Sequence, residues 1–234
     1  MEKNAKQNVV VTKGVTKEYS ENGVPVLAVR GVDLEIARGE FTAIVGPSGS
    51  GKTTFLNLIS GLDKVTEGKI WLNDRLLSDM SGRELSDFRR DNIGFVFQAY
   101  NLIPVLTVTE NIEYIMLLQG VEEAERRERV GRMLDELGLD GLEKRFPPQL
   151  SGGQQQRVAV ARAIVSEPAL VLADEPTANL DSATAIDLIE KMRDLNDNHG
   201  ATFIFSTHDT KIMERAKRLI VLKDGAIDTD EIRR

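Results

Sequence analysis

The stretch "FTAIVGPSGSGKTTFLNLIS" at 41–60 restricts the fold more than any other in the chain. It opens as an apolar run ending in glycine and continues, from Lys52 to about Ser60, with helical spacing. Between the two, "GPSGSGKT" (46–53) matches G-x-x-x-x-G-K-[ST]. A strand, a glycine-rich turn and a helix start, in that order, build a phosphate cradle. Glycines let successive amides curl toward one anion, and the helix start adds its partial positive charge. Gly46, Pro47, Ser48, Gly49, Ser50, Gly51 and Thr54 are thus candidate cradle residues. Lys52 is placed to reach β- and γ-phosphates, and Thr53 offers a hydroxyl to magnesium.

The rest of the chain supplies the scaffold that such a cradle needs. "NVVVTKGVTKEYS" (8–20) and "VLAVRGVDLEIARGE" (26–40) alternate apolar and polar residues around "ENG", which predicts antiparallel strands. "GKIWL" (68–72), "IGFVFQ" (93–98), "ALVLAD" (169–174) and "TFIFST" (202–207) read as further strands, and "RLIVLKDGAI" (218–227) as a closing hairpin on an Asp-Gly turn. A helix is expected over about 182–197. Apolar strands alternating with helices imply a parallel sheet covered on both faces. From Thr107 to about Arg145 the pattern is helical and charge-dense, so an inserted helical lobe is expected at about 100–155.

"LVLADEP" (170–176) stays apolar until two carboxylates appear at its C-terminal end, where ligands sit in open α/β sheets. Asp174 is the candidate magnesium ligand, and Glu175 the candidate base that polarises an attacking water. His208 follows another core strand as "STHD", which would bring its imidazole near a γ-phosphate. Gln98 ends "IGFVFQ" and could reach magnesium or the water while opening the helical lobe.

A second phosphate-ready feature lies far downstream. "LSGGQ" (150–154) puts Ser151, Gly152, Gly153 and Gln154 at a helix start, where bare amides attract anions. On the far lobe, this start cannot easily fold back over its own phosphate loop. A two-fold pair solves the geometry: each chain covers the γ-phosphate held by the other.

The phosphate loop, Gln98, "LSGGQ", "LADEP" and His208 occur in the order found in ATP-binding-cassette (ABC) ATPases, and the resemblance covers nearly the whole chain. It implies a nucleoside-triphosphatase core of the RecA-like type, an N-terminal antiparallel β subdomain and an inserted α-helical subdomain, together one domain over 7–230. It implies ATP and Mg2+ as ligands, with Thr53, Gln98 and Asp174 around the metal. By position, Tyr19 matches the aromatic that stacks on adenine, although a strand tyrosine serves equally well in a core. Asp181 of "ANLD" (178–181) matches the residue that contacts the partner's site; "ANLD" stands where "SALD" or "GALD" is commoner. "GFVFQAYNLIPVLTVTENI" and "LSGGQQQRVAVARAI" resemble the separate cassettes of lipoprotein-releasing and macrolide-efflux systems (the LolD/MacB type). "LEKRFPPQ" precedes "LSGGQ" where many fused exporters carry a "TEVGERG"-like stretch. In such systems the expected partners are a second copy of the chain and integral-membrane permease subunits, which "AYNLIPVL" could meet through Leu102, Ile103 and Leu106 unless these fill the lobe's core.

Composition narrows the alternatives. A net charge of −7 argues against a general nucleic-acid surface, and zero Cys excludes disulfides and thiolate metal sites. The first residues lack the apolar region of a secretory signal, and no apolar run approaches the ~18 residues that span a bilayer. The expected location is cytoplasmic, peripheral on the inner face of the cell membrane through the permease. Two other readings stay open: a small-solute importer cassette, and a soluble, non-transport member of the same fold. Members of the last group carry paired cassettes, a long coiled coil or zinc-binding cysteines.

Overall fold

Alternating Val, Thr and charged residues near the start form a long antiparallel hairpin, β1 (Asn8–Glu21) and β2 (Val24–Ala37). The computed structural model describes residues 7–21 and 24–233, so the centre of the expected "ENG" turn lies outside the described residues. Next come β3 (Phe41–Val45), α1 (Lys52–Ile59), β4 (Glu67–Leu72) and β5 (Arg75–Leu76). These are followed by α2 (Gly82–Asn92), β6 (Ile93–Val96), α3 (Val108–Leu118), α4 (Glu123–Glu136) and α5 (Gly152–Ile164). The chain then forms β7 (Leu170–Ala173), α6 (Ser182–His199), β8 (Phe203–Thr207), α7 (Thr210–Met213), β9 (Arg218–Lys223) and β10 (Ala226–Ile232).

Two sheets result. The antiparallel one runs β2-β1-β4-β5, and the other runs β10-β9-β3-β8-β7-β6, parallel except for β10. The closing hairpin turns on Asp224 (φ 50°) and Gly225 (φ 82°), the paired left-handed conformations that two-residue hairpin turns require. All five residues of β3 are buried, as the continuous apolar run predicts for a central parallel strand.

Its side chains alternate between two cores. Phe41, Ala43 and Val45 pack toward the helices of the inserted region and α6, whereas Ile44 packs with Phe55 of α1 and the antiparallel sheet. Phe41 meets Phe203 and Phe205 at ring-centroid distances of 5.6 and 4.9 Å. Burying each ring contributes roughly 1.5–3 kcal/mol, which locks β3 beside β8. The parallel neighbours β6, β7, β8 and β3 then deliver their following loops to one edge of the sheet.

The helical run expected from Thr107 to about Arg145 is shorter than its periodicity suggested. The chain turns at Gly120 (φ 76°) and again at Gly138 (φ 61°), and beyond α4 it is irregular apart from a 3-10 turn at Pro147–Gln149. Buried Asn111 fastens the loop before α3: its Oδ1 accepts from the Ile103 amide, and its Nδ2 donates to the carbonyls of Ile103, Leu106 and Thr107. Helix α2 has no buried residue; a reciprocal cap between Ser81 and Glu84 starts it. Behind the inserted region, a Cβ on Gly94 would lie 2.0 Å from the Ala163 carbonyl oxygen, so β6 and α5 touch backbone to backbone. Among the described residues, no helix is long and apolar enough to cross a membrane.

Candidate functional site

The loop between β3 and α1 has the shape its glycines permit and little else would. A Cβ on Gly46 would lie 2.1 Å from the Leu222 carbonyl oxygen, and one on Gly51 would lie 2.5 Å from that of Ala28. Gly51, at φ 98°, caps α1 and brings no side chain to the cap. First-turn amides of α1 are therefore left for an anion. Lys52 Nζ donates to the carbonyls of Gly46 and Pro47 at 2.8 and 3.0 Å, which holds the ammonium within the loop. Ser50 is buried, with its Oγ unpartnered among the described residues, and its carbonyl accepts from the Gly225 amide.

Beside the loop, the end of β7 is organised by one hydroxyl. Ser206 Oγ on β8 donates to Asp174 Oδ1 at 2.6 Å and accepts from the Glu175 amide at 2.9 Å. The other Asp174 oxygen, Oδ2, accepts from Thr53 Oγ1 at 2.9 Å, which ties the strand end to the phosphate loop. Glu175 has φ 48°, a left-handed conformation uncommon for a residue with a Cβ and held here by the bond to Ser206. His208 Nδ1 lies 3.0 Å from both Glu175 carboxylate oxygens. A carboxylate beside Nδ1 suits the tautomer that donates from Nδ1, and Nε2 has no hydrogen-bond partner among the described residues.

The phosphate loop, Glu175 and His208 face one cleft of about 570 Å³, lined by Ala28, Ser48, Lys52, Thr53, Gln98, Glu175 and His208 among others. The Thr53 hydroxyl and the Gln98 amide are hard oxygen donors on its walls, and the Asp174 carboxylate stands directly behind Thr53, a set that suits magnesium. Together with a loop that has no room for a Cβ at Gly46 or Gly51, they fit a magnesium-bound phosphate chain. Gln98 lies two residues beyond β6, in the following loop, where its carbonyl accepts from Asn179 Nδ2 at 2.9 Å.

Besides parts of the phosphate loop and Asp174, the expected site elements Tyr19, Asp181 and Ser151–Gln154 also lie outside the cleft lining. Tyr19 is 36% exposed; its hydroxyl donates to Asp63 Oδ2 at 2.7 Å, and Lys17 Nζ sits 4.7 Å from its ring centroid. Burial, and then the bond to Asp63, raise the tyrosine's pKa above its usual value. Asp181 is the N-cap of α6 and accepts from the amides of Ala183 and Thr184 and from the Thr184 hydroxyl. The Thr184 bonds hold its carboxyl below the usual range. Ser151 caps α5: its Oγ accepts from the Gln154 amide, while Gln154 Oε1 accepts from the Ser151 amide. This reciprocal cap satisfies two of the bare donors and leaves those of Gly152 and Gly153. A Cβ on Gly153 would meet Thr184 Cγ2 at 2.5 Å, so α5 starts pressed against α6. Within one chain, the second phosphate-ready helix start does not line the cleft of the first.

Ser206 was not foreseen. Its only trace in the sequence is a serine after the apolar "FIF" of "TFIFST", two positions before His208.

A phosphate loop, a carboxylate pair at a strand end and a glutamine and histidine on neighbouring loops define a nucleotide-binding α/β ATPase core. The chain belongs to the ABC transporter family, whose profile matches residues 29–178, and it is an ATP-binding subunit of that family. It is 44% identical over 227 residues to the ABC transporter ATP-binding protein MJ0796 of Methanocaldococcus jannaschii, covering 95% of this chain and 97% of that one. It is 44% identical over 222 residues to the macrolide export ATP-binding/permease protein MacB of Hyphomonas neptunium. That match covers 95% of this chain but only 34% of MacB. A dimeric structure of MJ0796 bound to ADP and Pi superposes with a TM-score of 0.87 at 43% identity, covering 96% of this chain and 99% of that one. CbiO1 of Clostridium perfringens, part of the transporter complex cbiONQ, superposes with a TM-score of 0.86 at 29% identity, covering 96% and 88%.

Proposed function

We propose that two copies of this chain close on two Mg-ATP molecules, hydrolyse them, and pass the opening and closing to separate membrane subunits that release lipoproteins or export related cargo. Lys52 and the loop amides hold the β- and γ-phosphates. Thr53, Asp174 and Gln98 hold magnesium, which when bound neutralises phosphate charge. Glu175 orients and deprotonates the attacking water, and His208 fixes the Glu175 carboxylate while offering Nε2 toward the γ-phosphate. The partner's Ser151–Gln154 segment closes the cleft from the far side, with Asp181 at the seam and Tyr19 against adenine.

The observation that carries this reading is the strand end of β7, where Thr53, Asp174, Ser206, Glu175 and His208 form one unbroken chain of hydrogen bonds beside the phosphate loop. The dimeric MJ0796 structure supports the paired arrangement. The macrolide-export relatives support an export role at the inner face of the membrane. On the lobe, exposed Val105, Tyr114, Leu117 and Leu118 provide an apolar surface for a permease, whereas Leu102, Ile103 and Leu106 are half-buried.

Glu175→Gln tests the chemistry. The exchange keeps size and removes the base, so turnover should drop by about 10²-fold or more while ATP still binds. Phosphate release at a near-native rate would remove Glu175 from the mechanism.

A further inference from the structure

We infer that Gln156 is a positioning residue for ATP hydrolysis, a buried amide that makes helix α5 and the chain's own catalytic loops move as one body. Gln156 lies on α5 and is fully buried. Its Nε2 donates to the Pro176 carbonyl at 2.7 Å and to the Phe97 carbonyl at 3.3 Å. Pro176 directly follows Glu175, and Phe97 directly precedes Gln98. One side chain thus holds the backbone next to the base and next to the magnesium-side glutamine.

The other end of that amide makes the choice of residue informative. Gln156 Oε1 has no hydrogen-bond partner among the described residues. Methionine or leucine would fill a similar volume without burying an unpaired acceptor, so the two donated bonds are what the glutamine adds. The surrounding contacts have the same direction. Arg162, also on α5, donates to the carbonyls of Asn101 and Tyr100 at 2.6 and 3.0 Å. A Cβ on Gly152 would lie 2.8 Å from the Tyr100 hydroxyl. Helix α5 therefore carries the 97–101 loop as a load, and Gln156 alone among these groups also grips the β7 loop.

The mechanical consequence rests on the two-copy reading above. When the first turn of α5 engages a phosphate held by the other copy, the helix shifts, and Gln156 transfers that shift to Gln98 and Glu175 of its own chain. Each site then learns that the opposite one is filled, which makes hydrolysis cooperative in ATP.

The test is Gln156→Met in the full chain, followed by phosphate release against Mg-ATP concentration, nucleotide affinity at concentrations that keep the chain monomeric, and the thermal midpoint. The expected result is a turnover about tenfold lower and a Hill coefficient falling from near two toward one, with monomer affinity within about twofold of the parent. Unchanged turnover and cooperativity would overturn the proposal, as would a loss of turnover matched by an equal loss of ATP affinity. If the variant melts below the assay temperature, hydrogen exchange on Glu175→Gln with its native Gln156 decides instead. Protection of 97–101 and 176–178 that rises together with that of 152–155 on ATP-driven pairing supports the clamp, and protection confined to 152–155 overturns it. A Glu175→Gln chain that binds ATP yet stays monomeric would overturn the two-copy reading first, and this one with it.

Discussion

Replacing Ser206 by alanine removes one oxygen that serves two carboxylate residues at once. In the folded chain that oxygen is fully buried, 2.6 Å from Asp174 Oδ1 and 2.9 Å from the Glu175 nitrogen. The charge-assisted bond to Asp174 contributes about 1.5–3 kcal/mol, and leaving the Glu175 amide unpaired costs about 1–3 kcal/mol. Because both act through one atom they do not add fully, and a total near 3 kcal/mol is expected. For a chain of this length that corresponds to a thermal midpoint lower by about 9 °C, at roughly 3 °C per kcal/mol. The functional effect should exceed the structural one. Glu175 holds a φ of 48° with its amide bonded to Ser206, so Ser206→Ala frees it to relax toward ordinary backbone and swing its carboxylate away from His208. Turnover should fall by about 10²-fold, while ATP affinity, set mainly by the phosphate loop, changes much less. Circular dichroism melts, steady-state phosphate release and fluorescent-nucleotide titration together read all three quantities. A midpoint within about 2 °C of the parent with native turnover would refute the assignment of Ser206 as the organiser of the strand end.

Two other outcomes follow from the same geometry. Gly51→Ala places a Cβ 2.5 Å from the Ala28 carbonyl oxygen at a φ of 98°, so the loop must deform; nucleotide affinity should drop by at least about tenfold, and an unchanged dissociation constant in an equilibrium titration would contradict the cradle. The second concerns acid. Backbone and side-chain bonds from Thr107 hold Glu110 below the usual carboxylate range, Ser81 does so for Glu84, and Thr184 for Asp181. Folded values below unfolded ones mean that this stabilisation is present above the unfolded carboxylate range and is lost as pH falls through the folded values. The urea midpoint should therefore stay level from about pH 7 to 5 and decline below about pH 4; a midpoint that rises on acidification would reverse the sign.

Much of this architecture was legible in the residues because its causes are local. "FTAIVGPSGSGKT" dictates strand, loop and helix through hydrophobic run, φ requirements and amide exposure, and the structure follows it from Phe41 to Ile59. The carboxylates of "LADEP" could be placed because an apolar strand must end where polar groups begin. Helix α2 escaped notice since it has no fully buried residue and its apolar face is only Leu85 and Phe88, half-buried against the second core; its cap, Ser81 with Glu84, was the clearer signal. Ser206 and Gln156 escaped for a different reason. Their roles depend on which strand lies beside β7 and which loops meet α5, and those neighbours are set by sheet order β3-β8-β7-β6, a tertiary fact. The charge-dense stretch after Thr107 was over-read as helix because periodicity continued past Gly138, where a left-handed φ ends α4.

The paired clamp can be tested with thiols because the chain has no cysteine of its own. Glu175→Gln chains bearing Ser48→Cys are mixed with Glu175→Gln chains bearing Ser151→Cys, each exposed residue giving a single reactive group, and treated with a short bismaleimide. The account predicts a covalent pair in the mixture that forms with Mg-ATP and not with ADP. Crosslinking that ignores the nucleotide, or its absence when ATP is bound, would contradict it.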